Sequence, residues 1–260
     1  MPYLAVDTAT QTLAVAVGER KRLYAEAAVV VEKNHSNKLM PMIESVLSYA
    51  ELSPDQLKGI VVGYGPGSYT GVRIGVTTGK MLAWSLQIPL VGVSSLDGLA
   101  YQYQSSDLLV CPLFDARRQQ AYCALYERSA ATNGARGRFC KTEPDALRQL
   151  QTLFPLIHQR LQQRDQKGRT GQVVFLGNGA ENYRELLIKE FSDRALFPES
   201  SSGYSVRAAY LLDVGIDRIE AGDTDDSERF VPAYLQMVEA EAKLLAQQPS
   251  DGQIRKEGVR

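Results

Sequence analysis

The residues best suited to chemistry form a glycine-rich block, GPGSYTGVRIG at positions 65–75, directly after the apolar run IVV at 60–62. This order predicts a strand, a tight turn and a helix whose first amides are exposed, where another molecule can approach the backbone closely. The turn either binds an anion or sets how the helix docks, and we favour the second interpretation. The positions concerned are Gly65, Gly67, Ser68, Thr70, Gly71 and Arg73.

The block departs from the common nucleotide-binding and nucleophile motifs. It is not a Walker A loop, because Gly79-Lys80 is followed by Met81 where Ser or Thr is required. A Rossmann fingerprint would need a third glycine at the position of Thr70. The sequence GSYTG around Ser68 also differs from the Gly-x-Ser-x-Gly pattern of serine hydrolases.

A second polar turn, DTAT at positions 7–10, ends the first apolar run. Folds that handle phosphate often place glycine in such a turn, whereas this chain has Ala9, whose Cβ restricts the backbone. We therefore interpret the segment as a polar hairpin turn rather than a phosphate loop.

Metal and thiol chemistry have little support in the sequence. His35 and His158 are the only histidines, and their separation matches no metal-binding motif, so we expect neither a metal nor a cofactor. The three cysteines, Cys111, Cys123 and Cys140, are an odd number without a CxxC pair. This usage predicts reduced thiols and a cytoplasmic location.

The composition is that of an ordinary globular chain. With 260 residues, 44% of them hydrophobic and 23% charged, the chain can form one large domain or two small ones. The net charge of -1 gives no overall reason to bind nucleic acid tightly. The start MPYLAVD predicts a strand rather than a signal peptide, and no apolar run is long enough to span a membrane.

Hydrophobic periodicity predicts a mixed α/β chain with two related halves. The first half has an antiparallel meander followed by alternating helices and strands, and a looser version of this order follows it. The predicted strands are 3–6, 13–17, 22–31, 60–63, 88–93, 108–114, 120–126 and 173–176. The predicted helices are 36–50, 72–86, 143–164, 181–191 and 205–220, with a further helix after Ser94.

Two of these helices carry more apolar residues than one buried face needs. The surplus is Met40 and Met42 on the first, and Met81, Leu82 and Trp84 on the second. Such residues are usually core, but an exposed apolar helix face is also typical of a docking surface.

Several motifs together resemble the bacterial TsaB (YeaZ-type) family, in the family's order and up to about Glu241. They are Asp7-Thr8, His35-Ser36 with Leu39 and Pro41, the block at 65–75, Asp115-Ala116-Arg117, and VPAYL at 231–235. Gln236 stands where many relatives carry Arg. The resemblance implies a two-lobed actin-like or sugar-kinase-like (ASKHA) fold, each lobe a mixed β-sheet with flanking helices. The lobes would be 1–104, with helix 205–220 packing back on it, and 105–204, followed by a disordered tail at 242–260.

The resemblance also implies a function. Family members are non-catalytic scaffolds or activators for threonylcarbamoyl transfer to the tRNA adenosine beside the anticodon, and they heterodimerise with a catalytic TsaD-like paralogue. A TsaE-like ATPase joins the assembly, tRNA is contacted only through the complex, and the chain alone is expected to form a homodimer. Carried over to this sequence, the interface residues are His35, Leu39, Met40, Ile43, Val46, Leu47, Val72, Val76 and Lys80.

Two other functions stay open at this point. A small-molecule kinase of the same superfold would need a working phosphate turn, which Ala9 disfavours. A glycopeptidase-like hydrolase would need a nucleophile or a metal. The docking hypothesis itself predicts that a charge at Ile43 or Val76 weakens pairing more than it weakens folding.

Overall fold

The computed structural model describes residues 1–31, 34–129 and 137–235. A first five-stranded sheet has the order β3-β2-β1-β4-β5. Its strands β1, β2 and β3 form an antiparallel meander, and β1, β4 and β5 run parallel. The bounds are β1 Tyr3–Asp7, β2 Thr12–Glu19, β3 Arg22–Val30, β4 Ile60–Gly63 and β5 Leu90–Val93.

A second five-stranded sheet has the order β10-β9-β6-β7-β8, which repeats the order of the first. Its first three strands are again antiparallel neighbours, and β6, β9 and β10 are parallel. The bounds are β6 Leu109–Asp115, β7 Gln120–Arg128, β8 Phe139–Gln149, β9 Val173–Leu176 and β10 Ala195–Leu196. The predicted two-lobed α/β fold, with a mixed sheet and flanking helices in each lobe, is confirmed.

Helices cover both sheets and divide the apolar interior into three clusters. One lies between the first sheet and α1 and α2, and another between the second sheet and α4 and α6. The third joins the lobes, because α3 and α7 pack with apolar side chains from both sheets. The bounds are α1 His35–Tyr49, α2 Tyr69–Leu86, α3 Ser95–Ala100, α4 Leu150–Gln166, α5 Asn178–Asn182, α6 Arg184–Phe191 and α7 Ala208–Glu220.

One predicted helix is wrong over its first seven residues. Residues 143–149 belong to β8, and α4 begins only at Leu150. Leu147 of β8 pairs with Tyr122 of β7, and Glu143 pairs with Leu125. The local sequence EPDALRQ has helix-forming residues, but pairing along a neighbouring strand outweighs this weak preference.

Smaller differences concern helix ends. The helix predicted at 181–191 is two helices, α5 and α6, which meet at Tyr183, and α7 begins three residues later than predicted. The other predicted strands and helices are confirmed within a few residues. The tail predicted at 242–260 lies outside the described residues. Within the described ranges, none of the helices is long and apolar enough to cross a bilayer.

Candidate functional site: the glycine-rich turn and the cleft between the lobes

The glycine-rich turn joins β4 to α2 and lies against the turn between β1 and β2. The amide of Ser68 donates a 2.7 Å hydrogen bond to the carbonyl oxygen of Ala9. The Ser68 hydroxyl caps α2 by accepting from the amide of Gly71 at 3.3 Å. A Cβ on Gly67 would lie 2.2 Å from the Ala9 oxygen, so only glycine allows this close approach.

Helix α2 continues the contact through its glycines. A Cβ on Gly71 would lie 2.2 Å from the carbonyl oxygen of Thr8, and one on Gly75 would lie 2.5 Å from the Thr8 hydroxyl. That hydroxyl donates to the carbonyl oxygen of Gly71 at 2.6 Å. These contacts are the ones that a structural turn makes when it docks a helix. Thr70 and Arg73 are exposed, and the Arg73 guanidinium lies over the ring of Tyr69.

Asp7, at the end of β1, is fully buried beneath this turn. Its carboxylate accepts hydrogen bonds from the Ser95 hydroxyl at 2.5 Å and from the Ala9 amide at 2.9 Å. Burial raises the pKa of Asp7 to about 6, although these hydrogen bonds act in the opposite direction. The Ser95 hydroxyl also accepts from the amide of Gly65 at 3.2 Å. The carboxylate thus ties the glycine-rich turn to the start of α3.

A cleft of about 670 Å³ separates the two lobes at this level. The first lobe contributes the Ala9 turn and Ser68, and the second contributes the turn between β6 and β7. In that second turn Arg117, Arg118 and Gln119 all have left-handed backbone, with φ of 65°, 52° and 58°. Their side chains are exposed, so the second lobe presents a basic turn to the cleft.

Asp115 ends β6 at the edge of this cleft. Its carboxylate accepts from the Arg117 amide at 2.7 Å, from the Asn182 side chain at 2.9 Å and from the Tyr183 hydroxyl. Partial burial raises the pKa of Asp115, but these hydrogen bonds outweigh burial and hold the pKa below its ordinary value. The carboxylate therefore stays ionised and orders the basic turn.

Residues 223–235 form an irregular segment, with a turn at 227–229, that we call the C-terminal strap. Its first part pairs with the edge of the first sheet, where the Asp225 amide donates to Leu90 O at 2.9 Å. The Asp225 carboxylate accepts from the Gly92 amide at 2.8 Å. The Phe230 ring lies over Gly92, where a Cβ would come within 2.1 Å of it.

The second part of the C-terminal strap follows α2 toward the cleft. Lys80 of α2 donates to the carbonyl oxygens of Glu228 at 3.1 Å and Phe230 at 2.8 Å. The Ala233 amide then donates to Tyr64 O at 2.9 Å, and the Tyr234 ring lies 5.0 Å from the ring of Tyr69. The sequence predicted no element here, because the segment has neither periodicity of side chains nor a run of β-branched residues.

The structure places most of the expected interface residues in the core of the first lobe. Six side chains are at most 4% exposed because they pack on the first sheet: Leu39, Ile43, Val46, Leu47, Val72 and Val76. In the free chain these side chains stabilise the lobe, and their contact with a partner stays a prediction. His35 is half-buried with Nε2 3.0 Å from the Thr10 carbonyl oxygen, and Lys80 binds the C-terminal strap.

The outer side of the same two helices does carry exposed apolar side chains. Met40 of α1 is 41% exposed, and Met81 and Trp84 of α2 are 62% and 59% exposed. We call these three residues the outer helix surface. They belong to the apolar surplus that the sequence had already identified, whereas Met42 and Leu82 pack partly against the core.

The buried cysteines and His158 lie in surroundings typical of structural residues. Burial raises the pKa of the Cys123 thiol to about 12. Burial also raises the pKa of the Cys111 thiol well above its ordinary value. His158 lies on the surface with Nε2 2.8 Å from a Glu190 carboxylate oxygen. Across residues 1–31, 34–129 and 137–235, no three His, Cys, Asp or Glu side chains are grouped as metal ligands.

Comparison with known proteins identifies the family. A family model described as TsaD, tRNA N6-adenosine threonylcarbamoyltransferase, matches residues 29–244. The tRNA threonylcarbamoyladenosine biosynthesis protein TsaB of Bacillus subtilis is 36% identical over 95% of this chain and 100% of its own length. The chain belongs to the TsaB (YeaZ-type) family.

A second relative supports this family membership, and a solved structure supports the fold. The protein of the same name from Escherichia coli is 27% identical over 90% of this chain and 94% of its own length. The solved structure of YeaZ from Pseudomonas aeruginosa superposes with a TM-score of 0.68 over 90% of this chain and all of that one. Its sequence is 23% identical, so this likeness shows the shared two-lobed fold.

Proposed function

We propose that this chain acts in the biosynthesis of threonylcarbamoyladenosine in tRNA, as a non-catalytic scaffold or activator that heterodimerises with a TsaD-like catalytic paralogue. Family membership supports the pathway, because the similar proteins from Bacillus subtilis and Escherichia coli are named for it. The family model that matches 216 of the 260 residues, from 29 to 244, carries the transferase's own description, which supports a paralogue as partner.

The outer helix surface is the observation that carries the pairing proposal. Trp84 and Met81 leave most of their apolar area in water although they lie on a helix whose opposite face is core. Exposed apolar clusters mark interaction surfaces, and Trp and Met are enriched in interface cores. Pairing through this surface would leave Leu39, Ile43 and Val76 to stabilise the lobe itself.

The glycine-rich turn supports a structural role rather than phosphoryl transfer. The Ala9 amide is bonded to Asp7, and the Ser68 amide is bonded to the Ala9 carbonyl oxygen. A phosphate loop presents such amides to its ligand. In this chain they hold β1, α2 and α3 together, so the turn sets the position of the docking helix.

The remaining partners, the oligomeric state and the location belong to the same proposal. We place a TsaE-like ATPase as a third component and tRNA in contact with the assembled complex, since a net charge of -1 gives the free chain no long-range attraction for RNA. Without its paralogue, the chain is expected to bury the outer helix surface in a homodimer. We place it in the cytoplasm, with lobes at 1–104 and 105–204 and α7 belonging to the first.

Light scattering on a size-exclusion column tests this proposal. The wild-type chain mixed with its TsaD-like paralogue should give a one-to-one complex at the expense of the homodimer. Trp84→Ala should weaken the complex about thirtyfold, the effect of losing a central interface tryptophan. Ile188→Ala is the matched control, because Ile188 is 44% exposed on α6 of the other lobe and should change affinity less than about twofold.

Two results would contradict the proposal. Failure of the wild-type chain to bind the paralogue at micromolar concentration would remove the scaffold role. Binding that is equally strong in the wild type and in Trp84→Ala would move the interface away from the outer helix surface.

A further inference from the structure

One lysine of the second lobe lies between two carboxylates that belong to different lobes. The ammonium of Lys141, on β8, is 2.7 Å from a carboxylate oxygen of Asp145 on the same strand. It is also 3.1 Å from a carboxylate oxygen of Asp97 on α3, the helix that follows β5 of the first sheet. Ion pairs such as Arg160–Glu143 lie within one lobe. We call Asp97, Lys141 and Asp145 the inter-lobe ion cluster, because it joins the two lobes.

The inter-lobe ion cluster lies at the edge of the apolar contact between the lobes. All three of its side chains are partly exposed. The Tyr126 hydroxyl donates to the Asp97 carboxylate at 2.6 Å, and the Tyr126 ring belongs to the apolar cluster that both sheets share. Burial lowers the pKa of Lys141, but the two carboxylates outweigh burial and hold this pKa above its ordinary value. Lys141 is therefore positively charged in the folded chain.

The start of α3 connects this cluster to the cleft. The hydroxyl of Ser95, two residues before Asp97, accepts a hydrogen bond from the amide of Gly65 in the glycine-rich turn. On the other side of the cleft, Tyr122 of β7 lines the cavity, and Tyr126 lies four residues further along the same strand. The inter-lobe ion cluster therefore restrains the distance between the two walls of the cleft.

The second carboxylate allows this contact to break without leaving a charge unpaired. Removing one partner from a buried ion pair is strongly unfavourable, because the other charge is left without compensation. In this cluster, Lys141 keeps Asp145 if the lobes separate, since both residues are on β8. Asp97 is partly exposed already, so water replaces the lysine as its partner. Separation of the lobes is therefore less costly than the loss of an isolated buried pair.

We propose that the inter-lobe ion cluster is a releasable latch that sets the width of the cleft. Bound to both carboxylates, Lys141 holds the two lobes together and keeps the cleft narrow. Bound to Asp145 alone, it releases Asp97, and the lobes move apart about the apolar cluster formed with α3 and α7. This inference concerns the free chain and does not rest on the proposed function.

Distances between spin labels in the full-length chain test the inference. The labels are placed at Glu44→Cys on α1 and Gln159→Cys on α4, which are exposed positions on different lobes. Cys140→Ser removes the native cysteine that is not buried. Asp97→Asn should raise the population of the open form, seen as a second distance, about fivefold, the factor expected for losing a partly exposed ion pair.

Asp145→Asn is the matched control. It removes the same charge from the same lysine but leaves the contact of Lys141 with Asp97, so the distances should stay those of the wild type. An equal shift in both variants would overturn the proposal, because the effect would then follow from the lost charge alone.

A second variant separates a latch from a purely structural ion pair. Lys141→Met should raise the open population at least as far as Asp97→Asn, and combining the two should add nothing, because they remove the same contact. Urea unfolding of each variant measures stability in parallel. Loss of stability with unchanged distances would overturn the proposal, and so would additive shifts in the double variant.

Discussion

The two lobes share a strand order and a helix pattern, but the side chain at one matching position is exposed in the first lobe and packed in the second. After the third strand, α1 carries LMPMI at 39–43 and α4 carries LFPLI at 153–157. The first leucine and the isoleucine of each pattern are at most 2% exposed, so both helices dock on their sheets in the same way. The residue before the proline differs: Met40 is 41% exposed, whereas Phe154 packs edge-on against Phe191 of α6 at 5.5 Å.

This difference explains why the apolar surface is on the first lobe. In the second lobe, α6 closes over the helix layer and covers the aromatic side chain. In the first lobe, α1 and α2 form the outermost layer and leave Met40, Met81 and Trp84 in water. Exposure at the position before the proline is therefore a property of the first lobe and not a requirement of the shared strand order, which favours a role in binding.

The carboxylates that end the first strand of each lobe show a second contrast. Asp7 of β1 is enclosed by the glycine-rich turn and has a raised pKa. Asp115 of β6 borders the cleft, accepts three hydrogen bonds and has a lowered pKa. One lobe thus uses the position to build its core, and the other uses it to order a surface turn.

The largest expected effect comes from a charge at the buried isoleucine of the shared helix pattern, Ile43 in α1 or Ile157 in α4. Ile43→Asp and Ile157→Asp should each lower the free energy of unfolding by about 5 kcal/mol, since both bury an unpaired charge. Urea unfolding followed by circular dichroism measures this. If Ile43→Asp instead kept full stability and lost only pairing, α1 would present its buried face to a partner and the comparison of the lobes would fail.

The carboxylates of Asp7 and Asp115 should change how stability depends on pH, an effect of intermediate size. Because burial raises the pKa of Asp7 from 3.8 to about 6, the folded state holds this proton more tightly than the unfolded state. Its contribution to stability is full below pH 3.8 and is lost as pH rises through about 6, a change of about 3 kcal/mol. Asp7→Asn should remove this decline, which unfolding curves measured from pH 4 to 7 would show.

Asp115→Asn serves as the opposite case. The lowered pKa of Asp115 adds stability above the usual value of 3.8, and that stability is lost as pH falls through the lower folded-state pKa. This variant should therefore lower the free energy of unfolding at neutral pH. It should leave in place the decline from pH 4 to 6 that Asp7 causes. Parallel curves for the wild type and Asp7→Asn would show that Asp7 is not the buried acid we describe.

The smallest effect separates the two helix layers. Phe154→Ala should cost about 2 kcal/mol, because it removes a packed aromatic ring, whereas Met40→Ala should cost less than about 0.5 kcal/mol. Thermal unfolding of the two variants makes the comparison. Equal losses would mean that Met40 is covered in the free chain, for example in a homodimer, and dilution would then reduce the loss for Met40.

The sequence predicted the fold well where local patterns and tertiary packing agree. Residues 13–17 are a continuous apolar run, typical of a strand buried on both faces, and the helix of Leu39 and Ile43 has clear helical periodicity. The burial of both follows from these patterns. Residues 143–149 show the limit, because their strand depends on pairing with β7, which no local window contains. The same limit applies to α5 and α6, which break at Tyr183 without a proline between them.

The site was predicted less completely for a different reason. Helical spacing identifies an apolar face but does not say whether a sheet or a partner covers it. The structure packs Ile43 and Val76 in the core of the first lobe, and their role in an interface stays a prediction. The surplus of Met81 and Trp84 beyond one face was the better signal of exposure. The C-terminal strap was marked only by the motif VPAYL at 231–235. Its contacts with α2 join residues about 150 positions apart, such as Lys80 and Phe230, which no local window contains.

Trp84 has a practical consequence as the single tryptophan of the chain. Because its indole is 59% exposed in the folded protein, its fluorescence should change little when the chain unfolds and is a poor monitor of stability. The same exposure makes it a sensitive reporter of any molecule that covers α2. A blue shift of its emission, with reduced quenching by acrylamide, reports the covering of α2 without an added dye.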